Sequence, residues 1–125
     1  MFRRVIIIAL FASLLAILAF CGTYRPTTNP VKLRAIRSEA LSLMERYPIR
    51  PPNDSVDIPA SEVPPVIASL RPAYVSVSRT RVDILMKPFF DGGWGYEVPR
   101  TKQDLGMPVE CLSEACPGVF WHGPC

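Results

Sequence analysis

The segment from Ala73 to Val98, AYVSVSRTRVDILMKPFFDGGWGYEV, decides the fold. It contains three short runs in which apolar residues alternate with others: Ala73, Val75 and Val77; Val82, Ile84 and Met86; and Trp94, Tyr96 and Val98. A period of two is typical of strands that bury one face. Asp91-Gly92-Gly93 is a turn signal between the second and third runs, whereas Arg79-Thr80 carries none. The segment predicts a three-stranded antiparallel sheet.

Two helices are predicted before this sheet. Asn29 can cap free backbone N–H groups, Pro30 is tolerated at the first helical position, and Pro48 would end the helix. Apolar residues recur between them at three- and four-residue spacing: Leu33, Ile36, Ala40, Leu43, Met44 and Tyr47. Such a stripe usually packs on a core, which we favour; the alternative is a helix on a membrane surface or a partner, with Lys32, Arg34 and Arg37 facing phosphates. A short helix is predicted from Pro64-Pro65 to Leu70, stopped by Pro72.

Prolines interrupt the rest of the chain. Residues 49–60 are rich in Pro, Asn and Asp, which predicts a linker or an extended wrap, and the tail from Arg100 onward is expected to be irregular. The predicted fold class is therefore α+β, with an N-terminal membrane segment, one amphipathic helix, a short helix and a three-stranded antiparallel sheet. The domain boundaries follow as 1–23 for the leader, 24–60 for the basic helix and linker, and 61–125 for a small α+β domain.

The leader carries the strongest signal in the sequence. Two arginines, Arg3 and Arg4, precede the 16-residue run Val5 to Phe20, which only Ser13 interrupts. Such a run indicates a membrane or the export machinery. Three fates are open: a retained single-span anchor, which we favour; lipidation at Cys21, since Leu18-Ala19-Phe20-Cys21-Gly22 resembles a bacterial lipoprotein signal; and signal-peptide cleavage after Cys21. We expect a membrane-anchored protein whose soluble domain lies on the extracytoplasmic side, with membrane lipid and another envelope protein as partners.

The charge balance gives no case for nucleic-acid binding. The formal net charge is +3, but two of the 14 basic residues lie in the leader, which leaves 12 basic and 11 acidic residues for the rest of the chain. Binding to nucleic acid usually requires a concentrated basic face.

Three motifs resemble a pattern in small, uncharacterised bacterial proteins with a membrane or lipoprotein leader. They are Val63-Pro64-Pro65-Val66-Ile67-Ala68-Ser69-Leu70-Arg71-Pro72, then Tyr74-Val75-Ser76-Val77, and then Gly93-Trp94-Gly95-Tyr96. That group carries a Gly-Phe-Asp-His-type turn before its aromatic strand, whereas this chain has Phe90-Asp91-Gly92-Gly93 and lacks the histidine. The resemblance implies a bacterial envelope protein with an α+β fold, and it implies no activity.

The tail contains a cluster of cysteines. Cys111, Cys116 and Cys125 are disulfide candidates, and one disulfide among them leaves a third thiol that is reduced or pairs with a second chain. The alternative is a zinc site made by Cys111, Cys116, His122 and Cys125, because three thiolates and one imidazole form a complete tetrahedral set. The spacing matches no established zinc pattern, so no metal or other cofactor is predicted.

No catalytic motif is present, and no catalytic residue is assigned. The aromatic residues Phe89, Phe90, Trp94, Tyr96 and Trp121 either fill the core or form a surface that binds a peptide, a glycan or another protein. The predicted function is a non-enzymatic binding or structural module. The alternative is an exported or anchored hydrolase that uses His122 or carboxylates flanking the sheet, namely Asp83, Asp91 and Glu97; a pocket that joins two carboxylates would favour it.

Overall fold

The computed structural model describes the backbone of residues 2–22 and 24–125, and the side chains of residues 4–16 and 24–125. The helices and strands follow in chain order as α1 (Phe2–Gly22), α2 (Pro30–Arg46), β1 (Ser55–Asp57), α3 (Pro65–Ser69), β2 (Tyr74–Ser78), β3 (Arg81–Phe89), β4 (Gly92–Pro99), β5 (Leu112–Cys116) and β6 (Val119–His122). Single 3-10 turns occupy Ala60–Glu62, Lys102–Asp104 and Val109–Cys111.

The strands form one antiparallel sheet of six, in the order β1-β2-β3-β4-β6-β5. The α+β class is confirmed, but the prediction of a three-stranded sheet is wrong. The three predicted strands are the adjacent strands β2, β3 and β4, with Val75 opposite Ile84 and Ile84 opposite Tyr96. The sheet is larger because one strand joins it on the side of β2 and two join it on the side of β4.

The three additional strands come from the segments expected to be irregular. Strand β1 has only three residues between prolines, and it pairs Val56 with Val77 of β2. Strands β5 and β6 form a hairpin through Pro117 and Gly118, and Gly118 has a φ of +82°. Proline followed by a residue at positive φ is the signature of a type II turn, so this proline starts a hairpin instead of preventing one.

Helices α2 and α3 pack on one face of the sheet. Asn29 caps α2 as predicted, because its Oδ1 accepts from the Val31 N–H at 3.0 Å and from the Lys32 N–H at 3.3 Å. The apolar stripe is buried, which confirms the favoured prediction that it packs on the domain. The core combines the stripe with Ile67 and the sheet: Leu33, Ile36, Ala40, Leu43, Met44, Ile67, Val75, Val77, Val82, Ile84, Tyr96 and Val98.

The hairpin between β3 and β4 is irregular at two places. Its two-residue connection is Phe90-Asp91, one residue earlier than the predicted turn, and Phe90 has a φ of +50°. A β-bulge shifts the register between Leu85 and Lys87, so that Lys87 pairs with Trp94. A bulge adds one residue to one strand and bends it.

Helix α1 does not support the predicted membrane segment. Its described apolar side chains are 55–68% exposed: Val5, Ile6, Ile7, Ile8, Leu10, Phe11, Leu14 and Leu15. Within the part of the chain that the structure describes, no helix combines the length and hydrophobicity needed to cross a membrane. The predicted membrane segment within 1–23 and the membrane-anchored localisation are therefore wrong. The run of 16 apolar residues is shorter than the about 20 residues that span a bilayer.

The other predicted fates of the leader concern Cys21. The lipidation candidate Cys21 and the cleavage position after it lie outside the residues whose side chains the structure describes. The chain that follows is fixed to the sheet, because the Thr27 N–H donates to the Tyr96 hydroxyl at 2.8 Å and the rings of Tyr24 and Trp94 lie 6.1 Å apart.

Candidate functional site

Two acidic residues face each other on the side of the sheet away from the helices, here called the open face. Val82 and Ile84 of β3 and Tyr96 and Val98 of β4 point towards the helices. Successive side chains of a strand alternate between the two faces, so Asp83 and Glu97 point to the open face. Their Cα atoms are partners across the strands. The Cβ atoms of such a pair are about 4.5–5.5 Å apart.

A cleft of about 370 Å³ lies on the open face and joins these two carboxyl groups. We call it the acid cleft. Its floor comes from β3, β4 and β6, and its rim comes from the β3–β4 connection, from β2 and from the loop after β4. The lining residues are Tyr74, Asp83, Ile84, Leu85, Pro88, Phe90, Asp91, Gly92, Glu97, Met107 and His122.

Glu97 is the buried acid of this cleft, with 3% of its surface exposed. Its Oε2 accepts a hydrogen bond from the Gly106 N–H at 3.1 Å, and its Oε1 has no hydrogen-bond donor among the described residues. No fully buried side-chain oxygen or nitrogen lacks a partner in the described residues, so Oε1 must reach the solvent. One unpaired oxygen of a buried carboxyl group is therefore accessible.

Burial raises the pKa of Glu97 above its ordinary value of 4.5, because the charged form loses hydration. The hydrogen bond from Gly106 lowers this pKa, the charge of Asp83 raises it, and the charges of Arg81 and His122 lower it. The effect of burial is the largest, so Glu97 binds its proton more tightly than an exposed glutamate does.

Asp83 is less buried and is paired with an arginine. The Arg81 Nε lies 3.2 Å and 3.4 Å from its two carboxylate oxygens. Burial nevertheless raises the pKa of Asp83 above 3.8, against the lowering by the charge and hydrogen bond of Arg81 and by the charge of His122. Arg81 and Asp83 are two residues apart on one strand, so their side chains share the open face.

His122 lines the acid cleft from β6. Its Nδ1 lies 3.0 Å from the Gly93 carbonyl oxygen. A carbonyl oxygen only accepts, so Nδ1 carries the hydrogen of this bond.

The loop at 100–111 covers part of the open face. Thr101 and Asp104 close it with a reciprocal capping box. A Cβ at Gly106 would lie 2.5 Å from the Arg81 Cζ, so a larger residue there would displace the Arg81 guanidinium beside Asp83. The end of the loop is fixed by a disulfide between Cys111 and Cys125, whose Cα atoms are 5.8 Å apart.

This disulfide confirms that the cysteine tail is cross-linked and identifies the pair. Cys116 is the remaining thiol, and it lies partly buried on β5. Because the sulfur atoms of Cys111 and Cys125 are bonded to each other, the alternative four-residue zinc site with His122 is not formed. Elsewhere in the described chain, no three His, Cys, Asp or Glu side chains are arranged to hold a metal ion.

The structure places some of the candidate aromatic residues in the core and others at the surface. Tyr96 and Trp121 are buried together, with ring centroids 4.8 Å apart. Phe89 and Trp94 pack edge to face at 5.5 Å near the end of the hairpin. Phe90 is 92% exposed and stands at the rim of the acid cleft. A binding role for this group stays a prediction, and the geometry makes Phe90 its best-placed member.

The structure brings to one cleft all four residues that the sequence offers for a hydrolase: Asp83, Asp91, Glu97 and His122. Sequence reasoning did not identify Arg81, although the spacing Arg81-x-Asp83 on a strand indicates a shared face. The contribution of Gly106 had no sequence signal, because its contact with Glu97 depends on how a long loop folds back.

Comparison with known proteins gives no match: no family model, no curated protein and no solved structure matches this chain.

Proposed function

We propose that this protein is a binding module that holds a cationic group, such as an ammonium or a guanidinium, in the acid cleft. One observation carries this proposal: Glu97 is almost fully buried but presents an unpaired carboxylate oxygen, directly across the strands from Asp83. A buried carboxylate is costly unless it is paired, and the cost is recovered when a cation with N–H donors occupies the cleft.

The charges and shape of the cleft support a cationic ligand. Asp83, Asp91 and Glu97 line it, no Lys or Arg is among its lining residues, and the neighbouring Arg81 is already bonded to Asp83. Tyr74 is about half exposed and Phe90 almost fully exposed, so two aromatic rings border the acids. Cations bind favourably over aromatic faces, by about 0.5–2 kcal/mol.

Affinity for a cation should increase with pH through the raised pKa of Glu97. Below that pKa the carboxyl group is protonated and offers no negative charge, whereas above it the ionised form attracts the ligand. Binding of the cation lowers the pKa of Glu97 in turn, so binding near that pKa releases a proton.

The test is an NMR titration of the ¹⁵N-labelled full chain with N-acetyl-lysine amide. We expect shifts at Gly106, Glu97 and His122, and we expect them to disappear in the double variant Asp83→Asn and Glu97→Gln. N-acetyl-norleucine amide, which lacks the charge, should cause no such shifts. Asp54→Asn is the matched control, because Asp54 is fully exposed and lies outside the cleft. Equal shifts with both compounds, or none with either, would refute the proposal.

A hydrolytic role is the second candidate, and one observation favours it: two carboxyl groups with raised pKa share a cleft with a histidine. Glu97 would act as the general acid, as a buried carboxyl group does when its pKa approaches the working pH. This candidate requires turnover of ester or glycoside test substrates that Glu97→Gln abolishes and Asp54→Asn leaves unchanged. Absence of turnover in the unaltered protein, with lysine amide bound, leaves binding as the function.

A further inference from the structure

A second recess borders the acid cleft at the beginning of β2. It is a crevice of about 270 Å³ between α3 and the 3-10 turn Ala60–Glu62. Its apolar lining includes Ile58, Val63 and Ala68, and its one charged lining residue is Arg71. We call it the Arg71 crevice. A ligand group that fits it has an apolar body and a negative charge.

Arg71 adopts an unfavourable backbone conformation. Its φ is +55°, in the left-handed region just after α3 and directly before Pro72. Left-handed backbone is unfavourable for a residue with a Cβ, whereas glycine adopts it freely at the end of a helix. Glycine would fit this backbone conformation better than arginine does. The turn therefore does not explain why an arginine occupies this position.

The guanidinium of Arg71 is free to bind a ligand. It has no hydrogen bond, ion pair or ring contact with any residue that the structure describes, and the residue is exposed. Arginine binds carboxylates through two parallel hydrogen bonds, so a free guanidinium beside an apolar crevice suits a carboxylate.

Tyr74 joins the two recesses, because its half-exposed side chain lines both. Asp83 lies diagonal to Tyr74 across the β2–β3 pair, at about 7–8 Å. Arg71 precedes Tyr74 by three residues, which span at most about 10 Å. The Cα atoms of Asp83 and Arg71 are therefore at most about 18 Å apart, the length of about five extended residues.

We infer that the ligand is a short extended peptide, with a cationic side chain in the acid cleft and its terminal carboxylate on Arg71. The inference rests on the proposed function and extends it, because it assigns both ends of the ligand. The apolar lining of the crevice would receive the last side chain, and the ring of Tyr74 would lie beside the backbone between the two ends.

The experiment compares two forms of one probe, N-acetyl-Lys-Ala-Ala-Ala-Leu with a free carboxylate and the same peptide as its terminal amide. Isothermal titration of the full chain should show the free acid binding about tenfold more tightly, the effect of one charge-assisted contact. In Arg71→Gly this advantage should vanish, while affinity for the amide stays unchanged. Arg50→Gln is the matched control, because Arg50 is also exposed and its side chain is without a partner among the described residues.

Arg71→Gly also separates binding from folding. Glycine relieves the left-handed strain, so the variant should unfold at the same temperature as the parent or higher. If the acid and the amide bind the unaltered protein equally, the inference is overturned and the proposed function stands. If neither binds, both are overturned. Retention of the tenfold advantage in Arg71→Gly would also overturn the assignment of the carboxylate to Arg71.

Discussion

At the scale of the residue, Glu97 combines the cost of burying a carboxyl group with the proposed binding role. Its position on the open face could be predicted, because Glu97 alternates with Tyr96 and Val98. Its burial could not be predicted, because the loop that follows β4 and covers Glu97 has no periodic pattern that shows how it folds back. The same is true of Asp83. Its place on the open face could be predicted from the alternation along β3, but its raised pKa depends on how the cleft packs around it.

The raised pKa of Glu97 has a consequence for stability. Between 4.5 and the raised pKa, the folded state binds more protons than the unfolded state, so the free energy of unfolding decreases as pH rises through this range. Glu97→Gln removes this titration and keeps an acceptor for the Gly106 N–H. We expect the variant to lose less stability than the parent between pH 4 and pH 7 in urea unfolding.

The Glu97→Gln variant should retain part of this pH dependence, because the pKa of Asp83 is also raised. Asp54→Asn should follow the parent curve. An identical pH dependence in Glu97→Gln and the parent would show that burial of Glu97 does not affect its protonation.

Two glycines of β4 give a second test at this scale. A Cβ at Gly95 would collide with the Ile84 carbonyl oxygen, whereas a Cβ at Gly92 would meet nothing within 4 Å. Gly95→Ala should therefore lower the free energy of unfolding by about 1–3 kcal/mol, as overpacking usually does. Gly92→Ala on the same strand should change it by less than about 0.5 kcal/mol. Equal effects of the two substitutions in urea unfolding would contradict the close approach of β3 and β4.

At the scale of the element, prediction succeeded where the apolar spacing was complete. Helix α2 shows its cap, its stripe and its terminating proline in sequence, and all three occur in the structure. Strand β1 was not predicted because its three exposed residues show no alternation of buried and exposed side chains. The β5–β6 hairpin was not predicted because prolines in the tail indicate interruptions, whereas Pro117-Gly118 forms the turn of this hairpin.

The disulfide supports this second hairpin and the loop over the acid cleft. Cys111 and Cys125 are separated by 14 positions, and closing a loop of about this size stabilises a domain by about 3 kcal/mol. Cys111→Ser should therefore lower the free energy of unfolding by about 3 kcal/mol. Cys116→Ser, which removes a thiol of the tail that lies outside the disulfide, should change the free energy of unfolding far less. A larger loss from Cys116→Ser would mean that another pairing forms in solution.

At the scale of the whole molecule, one core joins the helices to all the central strands. Trp121 lies in this core and Trp94 lies near the end of the β3–β4 hairpin. The order of the six strands could not be predicted, because it depends on β6 pairing with β4 across the loop at 100–111. The acid cleft could not be assembled from sequence for the same reason, since it needs His122 beside β4.

Ile36 tests whether the molecule unfolds as one unit. It is fully buried between α2 and the sheet, so Ile36→Ala should lower the free energy of unfolding by about 2–5 kcal/mol. Far-UV circular dichroism reports the helices, and tryptophan fluorescence reports the sheet. The two transitions should coincide and shift together in the variant. Separate midpoints for the two signals would show that helices and sheet are distinct cooperative units. Val31→Ala is the control, because Val31 is largely exposed on the same helix.

The position of β6 between β4 and β5 also governs the order of events during refolding. The β2–β3 and β3–β4 hairpins join neighbouring segments and can form quickly, whereas β6 reaches β4 only after the long intervening loop has turned back. Until then β4 is an open edge, and its free backbone groups can pair with another chain. The yield of refolded monomer should therefore fall as the protein concentration rises, and dilution during refolding should restore it.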